Sequence, residues 1–167
     1  MLSIDNWRRV PPARRAMLPT ALAAVTLVRA GLRFLPLPAW ERMAERLSGS
    51  PPADGTPSAT AQDVAWAVRS ASRVVPGATC LTQALAAKLV LSRRGYSSRL
   101  RIGVARGPGH RLRAHAWLEA NGVVVVGGSR VEEFTPLGTA VPAEDAAQRR
   151  ETAPNRGRLH HLMEKAR

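Results

Sequence analysis

The sequence contains a single cysteine, Cys80, which excludes an intrachain disulfide and a zinc site built from several thiolates. Aromatic side chains make up only 4% of the chain, which counts against a platform that stacks nucleic-acid bases. No apolar run reaches the length of about 20 residues that a membrane-spanning helix needs. The apolar stretch over residues 16–28 follows basic residues, as in a signal peptide, but no clear cleavage site follows it. We therefore expect a cytoplasmic protein without a transmembrane segment.

Acidic residues are also scarce, because 12 Asp and Glu stand against 25 Lys and Arg, for a net charge of +13. Lysine occurs only at positions 88 and 165, so nearly all of the positive charge is arginine. The charge is spread rather than held in a tail: 8 basic and 3 acidic residues lie in 1–50, 2 and 2 in 51–79, 9 and 3 in 80–134, and 6 and 4 in 135–167. Arginine suits contacts with carboxylates and phosphates, so an acidic partner surface is one explanation and a GC-rich genome is another.

A chain of 167 residues that is 45% apolar predicts one globular domain with attached segments. The segment 48–60 is rich in Pro, Gly and Ser and predicts a loop. The predicted organisation is an N-terminal helical segment over 1–50, a linker over 51–60, a core over 61–140, and a weakly helical C-terminal tail over 141–167. Apolar spacing predicts helices over 14–34, 40–47 and 63–74.

The hydrophobic period changes from helical to alternating within the core. A helix is predicted to start at Thr79 or Cys80 and to end before Gly95. Alternation then predicts strands over 98–105, 112–120 and 123–128, and Asn121-Gly122 is typical of a tight hairpin turn. The fold class is therefore α+β: N-terminal helices, then a core of a helix plus a small antiparallel sheet. No strand is predicted after residue 134.

Cys80 stands at the start of its predicted helix, directly after a Pro-Gly break. The first backbone N–H groups of a helix have no intrahelical partner and lie at the positive end of its dipole, which favours a thiolate and an oxyanion beside it. His115 lies in the middle of a predicted strand, on the same face as Arg113 and Trp117. A cysteine at a helix start followed by a strand histidine is the order of papain-like and transglutaminase-like thiol enzymes.

Two stretches, VVPGATCLTQALAAKLVLSRRGYSSRLRIGVARG and HAWLEANGVVVVGG, resemble the transglutaminase-like leader peptidases of lasso-peptide biosynthesis. The similarity covers about 70 of the 167 residues, from about Ala61 to Gly128. It implies a transglutaminase/papain-like fold and a cysteine protease that removes the leader from a ribosomally made precursor. The implied partners are that precursor, a small leader-recognition protein and, further, the ATP-dependent lasso cyclase; no cofactor is implied.

The same resemblance assigns the nucleophile to Cys80 and the general base and acid to His115. The backbone N–H of Cys80 and the side chain of Gln83 are candidates for the oxyanion site, although Gln83 is as well explained as a solvent-facing helix residue. Trp117 is a candidate wall of the substrate groove, with a core packing role as the alternative. Gln83 and Trp117 are thus weaker assignments than the Cys80–His115 dyad.

The third member of the catalytic triad is not assigned by the sequence. The family's usual Asp falls at about Gly127, where this chain has no carboxylate. Glu119 shares the face of His115 but lies four residues along the same strand, about 13 Å away if the strand is extended. A backbone carbonyl, Glu132 or Glu133 remain as groups that can orient the imidazole.

Two other functions are compatible with the sequence. The same cysteine and histidine can transfer an acyl group to an amine, and the positive charge can serve a basic binding module without catalysis. No recognised nucleic-acid motif is present, and the spacing of His110, His115 and His160-His161 gives no support for a metal site. The basic N-terminal helices can pack on the core, dock a partner or lie on a membrane surface.

Overall fold

The computed structural model describes residues 10–49, 57–107, 109 and 111–137, and within them four helices precede a four-stranded antiparallel sheet. The α+β class predicted from the sequence is confirmed. The helices are α1 (Pro12–Gly31), α2 (Leu37–Arg46), α3 (Pro57–Ser72) and α4 (Cys80–Arg93). The strands are β1 (Arg99–Arg106), β2 (Leu112–Ala120), β3 (Val123–Val126) and β4 (Thr135–Pro136).

The sheet has the order β3-β2-β1-β4, and β2 is paired with β1 from Leu112 to Glu119. In this register Gly103 of β1 lies opposite His115 of β2. The predicted hairpin joins β2 to β3, with positive φ at both turn residues, 51° at Asn121 and 75° at Gly122. The pairing of β3 reaches only from Ala120 back to Leu118, so the part of β2 that carries His115 has no β3 partner.

One hydrophobic core joins all four helices to one face of the sheet. Helix α1 presents a stripe of buried side chains at helical spacing and packs on α3 and α4. Nearly every residue of α4 between Ala84 and Ser92 is buried, because this helix lies between the other helices and the sheet. The sheet contributes five residues to this core: Leu100, Ala116, Leu118, Ala120 and Val126. The N-terminal helices α1 and α2 are therefore part of the hydrophobic core.

Several boundaries differ from those predicted. Helix α3 begins at Pro57, inside the predicted loop over 48–60, because proline fits the first turn of a helix, where its missing N–H is not needed. Helix α1 ends at Gly31 rather than at 34. Strand β3 ends at Val126, since Gly127 has a φ of +77° that turns the chain out of the strand. Strand β4 was not predicted, because two residues are too short for any periodic signal.

Two further predictions concern membrane spans and the C-terminal tail. None of its described helices is long and apolar enough to cross a membrane. The predicted weakly helical tail over 141–167 lies outside the described residues, and so do His110, His160 and His161.

Candidate active site

Cys80 is the first residue of α4, as predicted, and Thr79 caps the helix. Thr79 is extended, and its Oγ1 accepts a hydrogen bond from the Thr82 N–H at 3.3 Å, while its carbonyl accepts one from the Gln83 N–H at 3.0 Å. In the described part of the chain, the N–H groups of Cys80 and Leu81 have no such partner. Two free donors at the positive end of the helix therefore lie beside the thiol.

The loop that leads to Cys80 rests on the N-terminal helix. Gly77 has a φ of +73°, and the guanidinium of Arg29, in the last turn of α1, packs directly on it. A Cβ on Gly77 would lie 2.6 Å from an Arg29 Nη. Cys80 itself is half-buried and packs against the hydrophobic core. Helix α1 thus supports the segment that presents the candidate nucleophile.

His115 is half-buried, and a hydrogen bond of 2.8 Å joins its Nε2 to the carbonyl oxygen of Gly127. Two aromatic rings contact the imidazole: the Phe134 ring centre lies 5.0 Å away, and the Trp117 ring stacks at 6.3 Å with an interplanar angle of 20°. The predicted face shared by His115 and Trp117 is the one observed. These three contacts fix both the position and the tilt of the ring.

The described structure does not join Cys80 to His115 by a hydrogen bond. The neighbour of His115, Ala116, points into the core formed with the helices, and side chains alternate along a strand. The His115 ring therefore lies on the face with Trp117 and Phe134, away from the side chains that contact α4. The Cys80–His115 dyad stays a prediction from the sequence.

Trp117 and Glu119 form a network of their own on this face of the sheet. Trp117 is 4% exposed, and its Nε1–H donates to Oε1 of Glu119 at 2.9 Å. The other oxygen, Oε2, accepts from the Arg101 Nε at 3.1 Å. Glu119 is thus engaged away from His115, in keeping with the strand geometry. Trp117 is buried on this face of the sheet, outside the core that the helices form, and its role in a substrate groove stays a prediction.

The remaining candidates differ in what surrounds them. Gln83 is half-buried, and its backbone N–H donates to the Thr79 carbonyl. The oxyanion role of its side chain stays a prediction. Glu133 is held by Arg130 and lies 3.8 Å from Arg113 Nη1. Among the groups that the sequence left open as partners of His115, the one hydrogen-bonded to it in the described structure is a backbone carbonyl, that of Gly127.

Two groups at the site, Phe134 and the Leu81 N–H, were not predicted from the sequence. Phe134 follows a short 3-10 turn (Val131–Glu133) and precedes β4, where no hydrophobic period exists to predict its contact with His115. The free Leu81 N–H could have been predicted in the same way as that of Cys80, because the first N–H groups of a helix have no intrahelical partner and both residues belong to the first turn of α4. Within the described ranges, no group of three or more His, Cys, Asp or Glu residues is placed to hold a metal ion.

The comparisons with known proteins agree with this architecture. A family model described as the transglutaminase-like superfamily matches residues 24–139, which is more than half of the chain and includes both Cys80 and His115. No curated protein and no solved structure matches the chain. Four helices, an antiparallel sheet and a cysteine at a helix start agree with a transglutaminase-like domain. The chain belongs to the transglutaminase-like superfamily.

Proposed function

We propose that this protein is a cysteine endopeptidase that cleaves the leader from a lasso-peptide precursor. The observation that carries the proposal is the placement of Cys80 at the first residue of α4 beside two unpartnered amides, with His115 held on the following sheet. The finer assignment, to lasso-peptide maturation, is supported by the resemblance of residues 74–107 and 115–128 to leader peptidases.

The chemistry is an acyl transfer in two steps. His115 takes the proton from the Cys80 thiol, and the thiolate attacks the carbonyl carbon at the leader–core junction. The N–H groups of Cys80 and Leu81 stabilise the resulting oxyanion. The carbon–nitrogen bond breaks as His115 gives its proton to the leaving amine of the core peptide. Water then attacks the thioester, which releases the leader as a carboxylic acid and restores the thiol.

The dyad must close for this reaction. Because the His115 ring lies on the face of β2 turned away from α4, the dyad needs a change in the relative position of the two residues and not only a shorter hydrogen bond. We propose that binding of the precursor brings the Cys80 sulfur and the His115 ring together. The half-buried state of both side chains leaves each partly accessible from solvent.

The proposed partners are inferred from the positive charge of the chain. The chain carries +13, and 9 basic residues against 3 acidic ones lie within residues 80–134, the stretch of sequence that contains both Cys80 and His115. A positively charged chain attracts acidic peptides and acidic protein surfaces and speeds their association. We therefore propose that the leader peptide, or the small protein that recognises it, presents carboxylates to this part of the enzyme, and that the cyclase acts on the released core.

The test is cleavage of the precursor by the purified full chain, with and without the recognition protein, followed by mass spectrometry. We expect a single cut that releases the leader, and its loss in Cys80→Ala and His115→Ala. His110→Ala is the matched control, because it removes another histidine, five residues earlier in the sequence. Cleavage that persists in Cys80→Ala would refute the assignment of the nucleophile.

Two other functions are distinguished in the same assay. An acyltransferase gives an amide product when a primary amine is added, whereas a peptidase gives the free leader acid. A basic binding module leaves the precursor intact and retains its partner in a salt-dependent manner. Either result would replace the peptidase assignment.

A further inference from the structure

We infer that the backbone carbonyl of Gly127 is the group that orients His115 and sets its tautomer, with Nε2 protonated and Nδ1 free as the base. This inference rests on the proposed function, in which His115 is the general base. The carbonyl takes the role of the third triad member, for which the sequence assigned no residue. No side-chain carboxylate contributes to this role.

The hydrogen bond itself determines the tautomer. A carbonyl oxygen has lone pairs and no proton, so the 2.8 Å contact between Gly127 O and His115 Nε2 requires Nε2 to donate. In the neutral imidazole only one nitrogen carries hydrogen, which leaves a lone pair on Nδ1. The nitrogen that can take a proton from a thiol is therefore the one that Gly127 does not contact.

The two aromatic rings prevent the imidazole from exchanging its nitrogens. Phe134 contacts it at 5.0 Å between ring centres, and Trp117 stacks on it at 6.3 Å. Phe134 is fixed in turn, because its N–H donates to the Val131 carbonyl at 3.0 Å and the Arg113 guanidinium lies over its ring. A flip of the His115 ring would break the Gly127 bond within this packed aromatic contact.

The close approach of Gly127 to β2 is possible only because the residue has no side chain. Its φ of +77° is a conformation that side chains disfavour, and a Cβ there would lie 2.7 Å from the Ala116 carbonyl oxygen and 3.0 Å from the Trp117 Cβ. A carboxylate at position 127 has no room in this backbone. The glycine brings the main-chain oxygen to the place where a side-chain acceptor would otherwise be needed.

A neutral carbonyl is a chemically sufficient acceptor for this task. The papain-like proteases use the side-chain amide of Asn beside their histidine, and an amide oxygen is the same functional group as a peptide oxygen. The difference from an aspartate is the absence of a negative charge facing the imidazolium. The Gly127 carbonyl thus positions His115 and does not act on the substrate.

The test combines tautomer and activity in the full chain. In protein labelled with nitrogen-15 in its histidines, the neutral form of His115, assigned by the signal lost in His115→Gln, should show a protonated Nε2 and a bare Nδ1. Gly127→Ala must move the carbonyl, so we expect mixed tautomers and a kcat lower by about tenfold or more, with KM nearly unchanged. Gly122→Ala is the matched control, because Gly122 also has a positive φ but a Cβ there meets nothing within 4 Å.

The outcomes separate this inference from the proposed function. A neutral His115 that carries its hydrogen on Nδ1 and not on Nε2, or a Gly127→Ala variant that matches Gly122→Ala in tautomer and kcat, overturns the inference even if the precursor is cleaved. If the expected tautomer is present and the precursor is not cleaved, the orientation by Gly127 stands and the peptidase assignment fails. The spectrum of the unmodified chain decides the tautomer even if Gly127→Ala does not fold.

Discussion

The indole of Trp117 donates a hydrogen bond of 2.9 Å to Glu119, two residues further along the same strand. Both side chains lie on the face of β2 that carries His115, and the second carboxylate oxygen accepts from Arg101 on β1. This cross-strand link fixes the ring that stacks on the imidazole. Glu119 therefore acts on the site only through the position of Trp117.

Glu119→Gln is expected to leave catalysis nearly intact. A glutamine oxygen still accepts from the Trp117 N–H, but the charge that pairs with Arg101 is lost, which lowers the free energy of unfolding by about 1 kcal/mol. Precursor cleavage and urea unfolding measure the two effects. Glu45→Gln, on the exposed side of α2, is the control for the loss of one carboxylate. A loss of activity as large as that of His115→Ala would instead assign Glu119 to the catalytic machinery.

The cap of α4 is expected to matter for both stability and rate. Thr79→Ala removes the oxygen that binds the Thr82 N–H, so it should cost about 1 kcal/mol of stability and lower kcat, because Cys80 is the next residue. Thr79→Ser keeps the hydroxyl and is expected to retain both quantities. Thermal unfolding together with the cleavage rate checks this. Equal damage from the two variants would show that the methyl group, and not the hydrogen bond, is important.

The contact between α1 and α2 predicts a third effect. A Cβ on Gly31 would lie 2.8 Å from Cη2 of Trp40, whose side chain is fully buried. Gly31→Ala must displace the indole and is expected to destabilise the protein by about 1–3 kcal/mol. Gly128→Ala is the control, since a Cβ there meets Val124 at an ordinary 3.4 Å. Equal unfolding midpoints for the two variants would show that this contact is unimportant for folding.

Much of the fold could be predicted because its signals are local. The start of α4 at Cys80 follows from the Pro-Gly break and the Thr79 cap, and the hairpin at Asn121-Gly122 follows from turn chemistry. The bond between His115 and Gly127 could not be predicted, because it depends on where the chain leaves β3. The start of α3 at Pro57 differs from the predicted loop over 48–60, since a proline fits both a loop and the first turn of a helix.

The 3-10 turn that precedes Phe134 predicts a dependence of stability on pH. The hydrogen bond from Arg130 holds the pKa of Glu133 below its ordinary value of 4.5. Because the folded form binds this proton less readily than the unfolded form, the contribution is complete above the ordinary pKa and disappears as pH falls through the lowered one. Glu133→Gln should therefore lower Tm more at about pH 6 than at about pH 3, relative to the unmodified chain. Glu132→Gln, in the same turn, is the control for the loss of one carboxylate. A Tm difference for Glu133→Gln that is equal at both pH values would mean that its carboxylate contributes by shape and not by charge.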